Sequence, residues 1–388
     1  MKKFIFILTL SIFAVSCSDN DEPQTMSDTI IPANQIELTV EESTARDALN
    51  KFELNLIEKV CEAHPDENVV ISPISVSMLL TTLSNSEFGN LNKEITEFLA
   101  IDNIDALNSY IVKLTESIPA IDPKANINFA NSFWYNETFG LEFRVPDNIA
   151  QQFSLESFAF DSNINALQEK MDNWIADKTN NLITSTPIEN LEYVLAAYIN
   201  TLYFKGEWAK KFMKGSHKEF FTCQSGYKSE VYMLRNAEWY PSAINEYCKA
   251  VKCDFWNGAF SAYFVLPHNN DLFKDAITHF DELEFNRQNQ IEIPEFFLSQ
   301  SKNEITEILY SLGLKCFAPQ YDLNRALRSH YSATVSFDEN GAEGSAATSG
   351  HDEMIAFFDY VIFNRPFYYF IKENSTRATL IAGKVISL

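Results

Sequence analysis

The six histidines and six cysteines are the residues in this chain best equipped for catalysis or metal binding. Neither set is arranged for it. The histidines are dispersed without metal-ligand spacing, and Cys248 and Cys253 lack a CxxC spacing or close partners suited to zinc. There is no G-x-S-x-G elbow, H-E-x-x-H, Walker A or G-x-G-x-x-G motif. A catalytic reading therefore has no constellation to stand on, and no cofactor or metal is expected. The unusual stretch is Asp338-Glu-Asn-Gly-Ala-Glu-Gly-Ser-Ala-Ala-Thr-Ser-Gly-His-Asp-Glu-Met-Ile-Ala356, which is poor in bulky side chains over most of its length.

That stretch follows a β-branched run, Ala333-Thr-Val-Ser-Phe337, which reads as a strand. It leads into the hydrophobic segment Phe357 to Leu388, which reads as several more strands. Side chains on a strand alternate between faces. Ala342, Gly344, Ala346, Thr348 and Gly350 form one set, small and uncharged, that fits a crowded sheet. Glu343, Ser345, Ala347, Ser349 and His351 form the other, more polar and suited to water. A plain surface loop is the alternative reading, but this alternation marks a strand with another place to go. Glu339 and Gly341 at its root read as a hinge, because glycine tolerates large backbone changes.

The elements that must position this segment are legible upstream. From Thr44, the spacing of Ala48, Phe52, Leu56 and Val60 predicts an amphipathic helix. Asn68-Val-Val-Ile-Ser-Pro-Ile-Ser75 reads as a strand followed by Pro at the first helical position, with Ser72 as N-cap of a helix through Val76 to Leu83. Asn128 to Tyr135 alternates like a strand, and Asp172 to Asn180 reads as a helix with Asn181 at its left-handed end. The near-continuous apolar run Val194 to Phe204 predicts a central strand.

Bulk properties narrow the class. The chain has 388 residues, 46% apolar, enough for one large packed domain or two ordinary ones. Its net charge is −23 with no basic cluster, which argues against a nucleic-acid partner. Lys2-Lys3 followed by the short apolar stretch Phe4 to Phe13 reads as a secretion signal over residues 1–17. Ala14-Val-Ser-Cys17 resembles a bacterial lipobox, which implies lipidation of Cys17; Ser18-Asp-Asn-Asp-Glu22 resembles the acidic export tag of Bacteroidetes-type surface lipoproteins. Residues 18–44 then read as an acidic flexible tether, and the resemblance implies the outer face of the outer membrane as the location. The remaining cysteines, Cys61, Cys223, Cys248, Cys253 and Cys316, are odd in number and are expected to be mostly free, buried thiols.

Glu339-Asn-Gly-Ala-Glu-Gly-Ser-Ala-Ala-Thr348 resembles the hinge of the reactive-centre loop of inhibitory serpins, usually written E-x-G-T-E-A-A-A-A-T. Phe363-Asn-Arg-Pro-Phe367 resembles that family's F-x-x-x-R-P-F region and Ala382-Gly-Lys-Val385 its closing strand. Val194 to Phe204 with Lys205-Gly-Glu-Trp208 and Phe212 resembles L-x-N-A-x-Y-F-K-G-x-W-x-x-x-F. Further motifs follow in family order, so the resemblance covers residues 45–388 as one domain.

The resemblance implies an α/β serpin fold with three β-sheets, about nine helices and an exposed loop. It implies a monomer that inhibits serine proteases as a suicide substrate, the cleaved loop entering the central sheet as a new strand. Family spacing counted from Gly341 and back from Phe363 converges on Ile355-Ala356 as the reactive bond, with Met354-Ile355 as the one-residue alternative. The hinge comprises Glu339, Gly341, Ala342, Gly344, Ser345, Ala346, Ala347 and Thr348. Ser72, Ser75, Asn200 and His330 match a polar shutter beneath the opening sheet, and Trp208 the top of that sheet. Caps and core packing are the ordinary alternatives for those five. An aliphatic residue at the bond suits elastase-like proteases; chymotrypsin-like or papain-like cysteine proteases are the alternatives. A non-inhibitory serpin and a surface glycan- or nutrient-binding lipoprotein are the rival functions.

Overall fold

The computed structural model describes residues 31–86, 90–137, 145–161, 163–186, 188, 191, 194, 196–318, 327–342 and 360–388. In chain order its elements are α1 (Val40–Ala63), β1 (Val69–Ile71), α2 (Pro73–Ser84), α3 (Leu91–Leu99), α4 (Ile104–Ser117), β2 (Asn126–Asn136), α5 (Asp147–Gln152) and β3 (Leu155–Phe160). Next come α6 (Ile164–Lys178), β4 (Ala196–Glu207), β5 (Met213–Thr222), β6 (Lys228–Arg235), β7 (Tyr240–Ile244), β8 (Cys248–Asp254), β9 (Phe260–Pro267) and α7 (Phe273–Thr278). The chain closes with β10 (Arg287–Pro294), β11 (Phe296–Glu304), α8 (Thr306–Leu312), β12 (Leu327–Phe337), β13 (Gly341–Ala342), β14 (Tyr360–Ile362), β15 (Phe367–Glu373) and β16 (Thr379–Val385). Eight α-helices are thus present among the described residues, with short 3-10 turns beside them.

α1 starts ahead of the expected Thr44, so Val40–Ser43, assigned above to the tether, are its first turn. The cause is a capping box. The Glu42 amide donates to Thr39 Oγ1 and the Thr39 amide to Glu42 Oε2, which satisfies two otherwise orphaned donors. Glu42 is also held by Ser109 Oγ and Lys113 Nζ, both at 2.6 Å, which keeps its carboxyl at about 2, well below the usual range. α2 begins with Pro73 as expected, but the Ser72 side chain does not cap it. Its hydroxyl instead accepts a 2.7 Å bond from Ser75 Oγ.

Among the described residues the strands fall into the three sheets expected, one six-stranded, β11-β12-β13-β4-β2-β3, and two that share β10 and so run together as ten strands. β10 explains the merger. Its first residues, Arg287–Asn289, pair with β7, while its last, Glu292–Pro294, pair with β6, joining two patches into one ladder. β14 adds to β10 in parallel through Gln290–Tyr360 to Glu292–Ile362.

The core lies where the two sheets meet. Phe337 of β12 is fully buried among the rings of Trp208, Phe264, Phe296 and Tyr369. Burying each such ring contributes about 1.5–3 kcal/mol. A second, smaller cluster seats α6 on the six-stranded sheet through Met171, Trp174 and Ile175 against Ala130, Trp134, Ala197 and Ile199. A titratable carboxyl sits deep among α1, α2, β15 and β16. Glu53 accepts bonds from Ser77 Oγ at 3.0 Å and the Thr379 amide at 2.9 Å, and burial pushes its carboxyl up to about 7.

Candidate functional site

β12 and β4 run parallel and in register from Leu327–Ala196 to Ser332–Thr201, where their ladder ends. Beyond that point the strands part. Into the wide end enters β13: Ala342 pairs with Phe337 on one side and with Gly206 on the other, and Gly341 pairs with Glu207. Between Ala342 and the point of divergence lies a cavity of about 50 Å³, walled by Phe204, Thr334, Val335 and Ser336 and by Ile371 and Ile381. Its lining is mostly apolar. It is the start of a slot one strand wide.

Two small residues make the close approach possible. A Cβ on Gly341 would stand 1.8 Å from the Gly206 carbonyl oxygen, and a Cβ on Gly206 would press on the rings of Phe204 and Phe255 at 3.0 Å. Gly341 was expected as a hinge for its conformational freedom; its evident role here is steric, since any side chain would push β13 off β4. Ala342, only 3% exposed, fills the slot with a single methyl group.

The turn joining β12 to β13 is tightly held. Asp338 Oδ1 accepts from the Asn340 amide at 2.7 Å and the Gly341 amide at 3.0 Å, an Asx-type turn. Burial nevertheless raises the Asp338 carboxyl above its ordinary value. The Trp208 amide donates to Asn340 O, the Phe212 amide to Glu339 O, and Trp208 Nε1 to Asp338 O. Trp208 is buried, stacked on Phe255 at 4.6 Å, and so braces the loop root from below.

Polar groups underlie the closed end of the seam. Asn131 Oδ1 of β2 accepts from both Tyr198 Oη at 2.7 Å and Asn200 Nδ2 at 2.6 Å, while Asn131 Nδ2 donates to Phe153 O. Asn200 Oδ1 and Thr201 Oγ1 are buried without a partner among the described residues. Tyr331 stands opposite Asn200, and His330 opposite Ile199, in the β12–β4 register; the His330 side chain is outside the described ones. No hydrogen bond between described atoms joins the Ser72–Ser75 pair to Asn200, and α2 reaches Asn200 a turn later through Met78 Sδ at 3.9 Å. Asn131 and Tyr198 were missed as members of this cluster. Their signal was polarity on strands buried on both faces.

Ile355, Ala356, Met354, Gly344, Ser345, Ala346, Ala347, Thr348 and Cys17 lie outside the described residues. Cys61, Cys223, Cys248, Cys253 and Cys316 are free and buried, as expected for thiols in a core. Among the described residues no group of three His, Cys, Asp or Glu is placed to hold a metal.

A family model described as Serpin (serine protease inhibitor) matches residues 47–388. The chain belongs to the serpin family. Membership places it among protease inhibitors rather than enzymes. Serine protease inhibitor 2 of Anopheles gambiae is 25% identical over 382 residues, covering 87% of this serpin and 90% of that protein. The leukocyte elastase inhibitor of Xenopus tropicalis is 24% identical, covering 88% and 98%. Among solved structures, Arabidopsis AtSerpin1 in its native stressed conformation superposes with a TM-score of 0.74 at 22% identity, covering 90% of this serpin and 99% of that chain. That likeness shows the fold, and with it the mixed α/β architecture expected above.

Proposed function

We propose that this serpin is a suicide-substrate inhibitor of serine proteases with elastase-like targets. The protease serine adds to the Ile355 carbonyl carbon, the bond to Ala356 breaks, and the amine leaves with a proton from the protease histidine, leaving an acyl ester. Residues beyond Ala342 then enter the slot between β12 and β4, and the tethered protease is carried away from its loop before water can complete deacylation. Ladder bonds gained by the new strand, each worth about 0.5–1.5 kcal/mol, drive the movement. The observation that carries this reading is Ala342, already paired with both Phe337 and Gly206 at the mouth of the parted seam.

The outer-membrane location belongs to the same proposal: a lipid on Cys17, a tether from residue 18, and a single inhibitor domain through 388, on the bacterial surface. Incorporation of labelled palmitate that is lost in Cys17→Ala, together with removal of the chain by protease applied to intact cells, tests it. Inhibition is tested by mixing the chain with pancreatic elastase and running denaturing gels. A band at the summed mass with a released peptide starting at Ala356 supports the reading. A start at Ile355 moves the bond to Met354, and the same assay with chymotrypsin and papain ranks those alternative targets. Cleavage without any adduct makes this a non-inhibitory serpin.

A further inference from the structure

Away from the slot, at the Lys384 end of β16, a second cavity of about 340 Å³ opens between the last turn of α1, the start of α7, and strands β15 and β16. Small-molecule sites ordinarily span about 300–1,000 Å³. Phe273 and Ile277 of α7 and Tyr368 of β15 give it apolar walls, with the Phe273 and Tyr368 rings 4.3 Å apart.

Two polar side chains on the lining are short of partners. Lys384 is 3% exposed and makes no ion pair with a described residue. Its ammonium carries three hydrogens. Two are taken, by Cys61 O at 3.1 Å and Pro65 O at 3.3 Å. These carbonyls at the end of α1 bring only partial negative charge. A buried cation with no anion beside it is costly, and burial holds this ammonium below its ordinary value. Tyr368 is 2% exposed, and its hydroxyl makes no hydrogen bond with a described residue. The carboxylates around the cavity are engaged elsewhere or exposed. Glu62 pairs with Lys274 at 2.5 Å and Lys59 at 2.6 Å, and Glu58 with Lys274 at 3.8 Å. Asp271 stands exposed at the rim.

We propose that this cavity is a binding site for a small amphipathic carboxylic acid. The carboxylate accepts the third hydrogen of Lys384 and the hydroxyl of Tyr368, while a short chain or single ring lies against Phe273 and Ile277. The ligand supplies the anion that Lys384 lacks, through charge-assisted hydrogen bonds, and withdraws apolar surface from water. A neutral alcohol of the same shape gains only the second effect, so the site discriminates by charge. None of its residues lines the slot, and it stands whether or not the chain traps a protease.

Isothermal titration of the full chain at neutral pH tests the site. Decanoate and 4-phenylbutyrate are each compared with the matching alcohol, decanol and 4-phenylbutanol, in wild type, Lys384→Met and Tyr368→Phe. At least one acid is expected to bind one-to-one, about tenfold or more tighter than its alcohol. Lys384→Met replaces the ammonium by an apolar chain of similar length; it removes that advantage and leaves the alcohol unchanged. Tyr368→Phe weakens the acid about threefold. Melting curves show which variants fold, and Tyr368→Phe carries the comparison if Lys384→Met does not. No binding of either acid overturns the site, as does equal affinity for acid and alcohol. Acid affinity untouched in the folded variant overturns it too.

Discussion

Trp208 Nε1 and the carbonyl oxygen of Asp338 are 2.9 Å apart, a hydrogen bond between the end of β4 and the turn that joins β12 to β13. The same indole lies against Phe255 and Phe337, so one side chain ties the loop root to the core. Trp208→Phe keeps an aromatic ring and removes the donor. It is expected to cost about 1–2 kcal/mol, the net bond plus the buried carbonyl left unpaired, read from denaturant unfolding. An unchanged midpoint would mean that the ring packing alone holds the root.

Ala342 is the residue on which the proposed mechanism turns. Ala342→Arg places a long cation where a methyl group fits between Phe337 and Gly206, and burying that charge unpaired is prohibitive. The hinge is then held out of the slot. With elastase, the variant is expected to be cleaved at the wild-type rate but to yield little or no covalent adduct on denaturing gels.

Asn131 supplies one oxygen to two buried donors, Tyr198 Oη and Asn200 Nδ2. Asn131→Leu preserves approximate volume and removes the shared acceptor, leaving Asn200 Nδ2 only its 3.9 Å contact with Met78 Sδ. A loss of about 1–3 kcal/mol follows from the weakened polar cluster beneath the closed end of the seam. Chemical denaturation measures it, and native-gel mobility on standing will show whether the weakened seam also rearranges without cleavage.

Glu53 makes stability depend on pH in a defined direction. Its folded pKa, about 7, lies above the ordinary 4.5, so the folded chain holds a proton that the unfolded chain releases. Stability is therefore greatest with the carboxyl protonated and falls as pH rises from about 5 through about 7. The loss is on the order of 3 kcal/mol, from a shift that already includes the opposing pull of the nearby Lys372 cation. Glu53→Gln keeps the Ser77 and Thr379 contacts within reach and should flatten this slope. Melting curves of both proteins between pH 5 and 8 provide the comparison.

Burial holds the thiols of Cys61, Cys248 and Cys316 up at about 12, so little thiolate exists at neutral pH. Cys17→Ala protein should resist alkylation by iodoacetamide while folded and take up label on all five remaining cysteines in denaturant. Rapid native labelling of one site would locate a breathing region.

Local chemistry was the legible part of this molecule. Pro73 after β1, the alternation of β2, the apolar run of β4 and the left-handed Asn181 after α6 follow from caps, periods and backbone preferences, although α6 ends at Lys178 and Asn180, expected within it, is left-handed too. The small side chain of Ala342 also pointed at the slot it occupies. Relations between distant segments were not legible. That Gly341 abuts Gly206, that β10 serves two neighbours, and that Asn131 unites Tyr198 with Asn200 depend on register, to which residue periodicity is blind. Ser72 stands at the N-cap position as read, but a serine ahead of a proline does not reveal that its hydroxyl accepts from Ser75 rather than capping the helix.

The seam between β12 and β4 is sewn at one end only, and that asymmetry sets a clock. An incoming strand meets no ladder until it passes the slot behind Ala342; from there it must unpick the pairs from Ser332–Thr201 down to Leu327–Ala196 one after another. On the proposed mechanism, progress is a directional zipper that runs from the parted end toward Leu327–Ala196. If the chain traps a protease as proposed, the contest between capture and escape is timed by these strand pairs. Substitutions there should change the outcome of an encounter without changing how it begins.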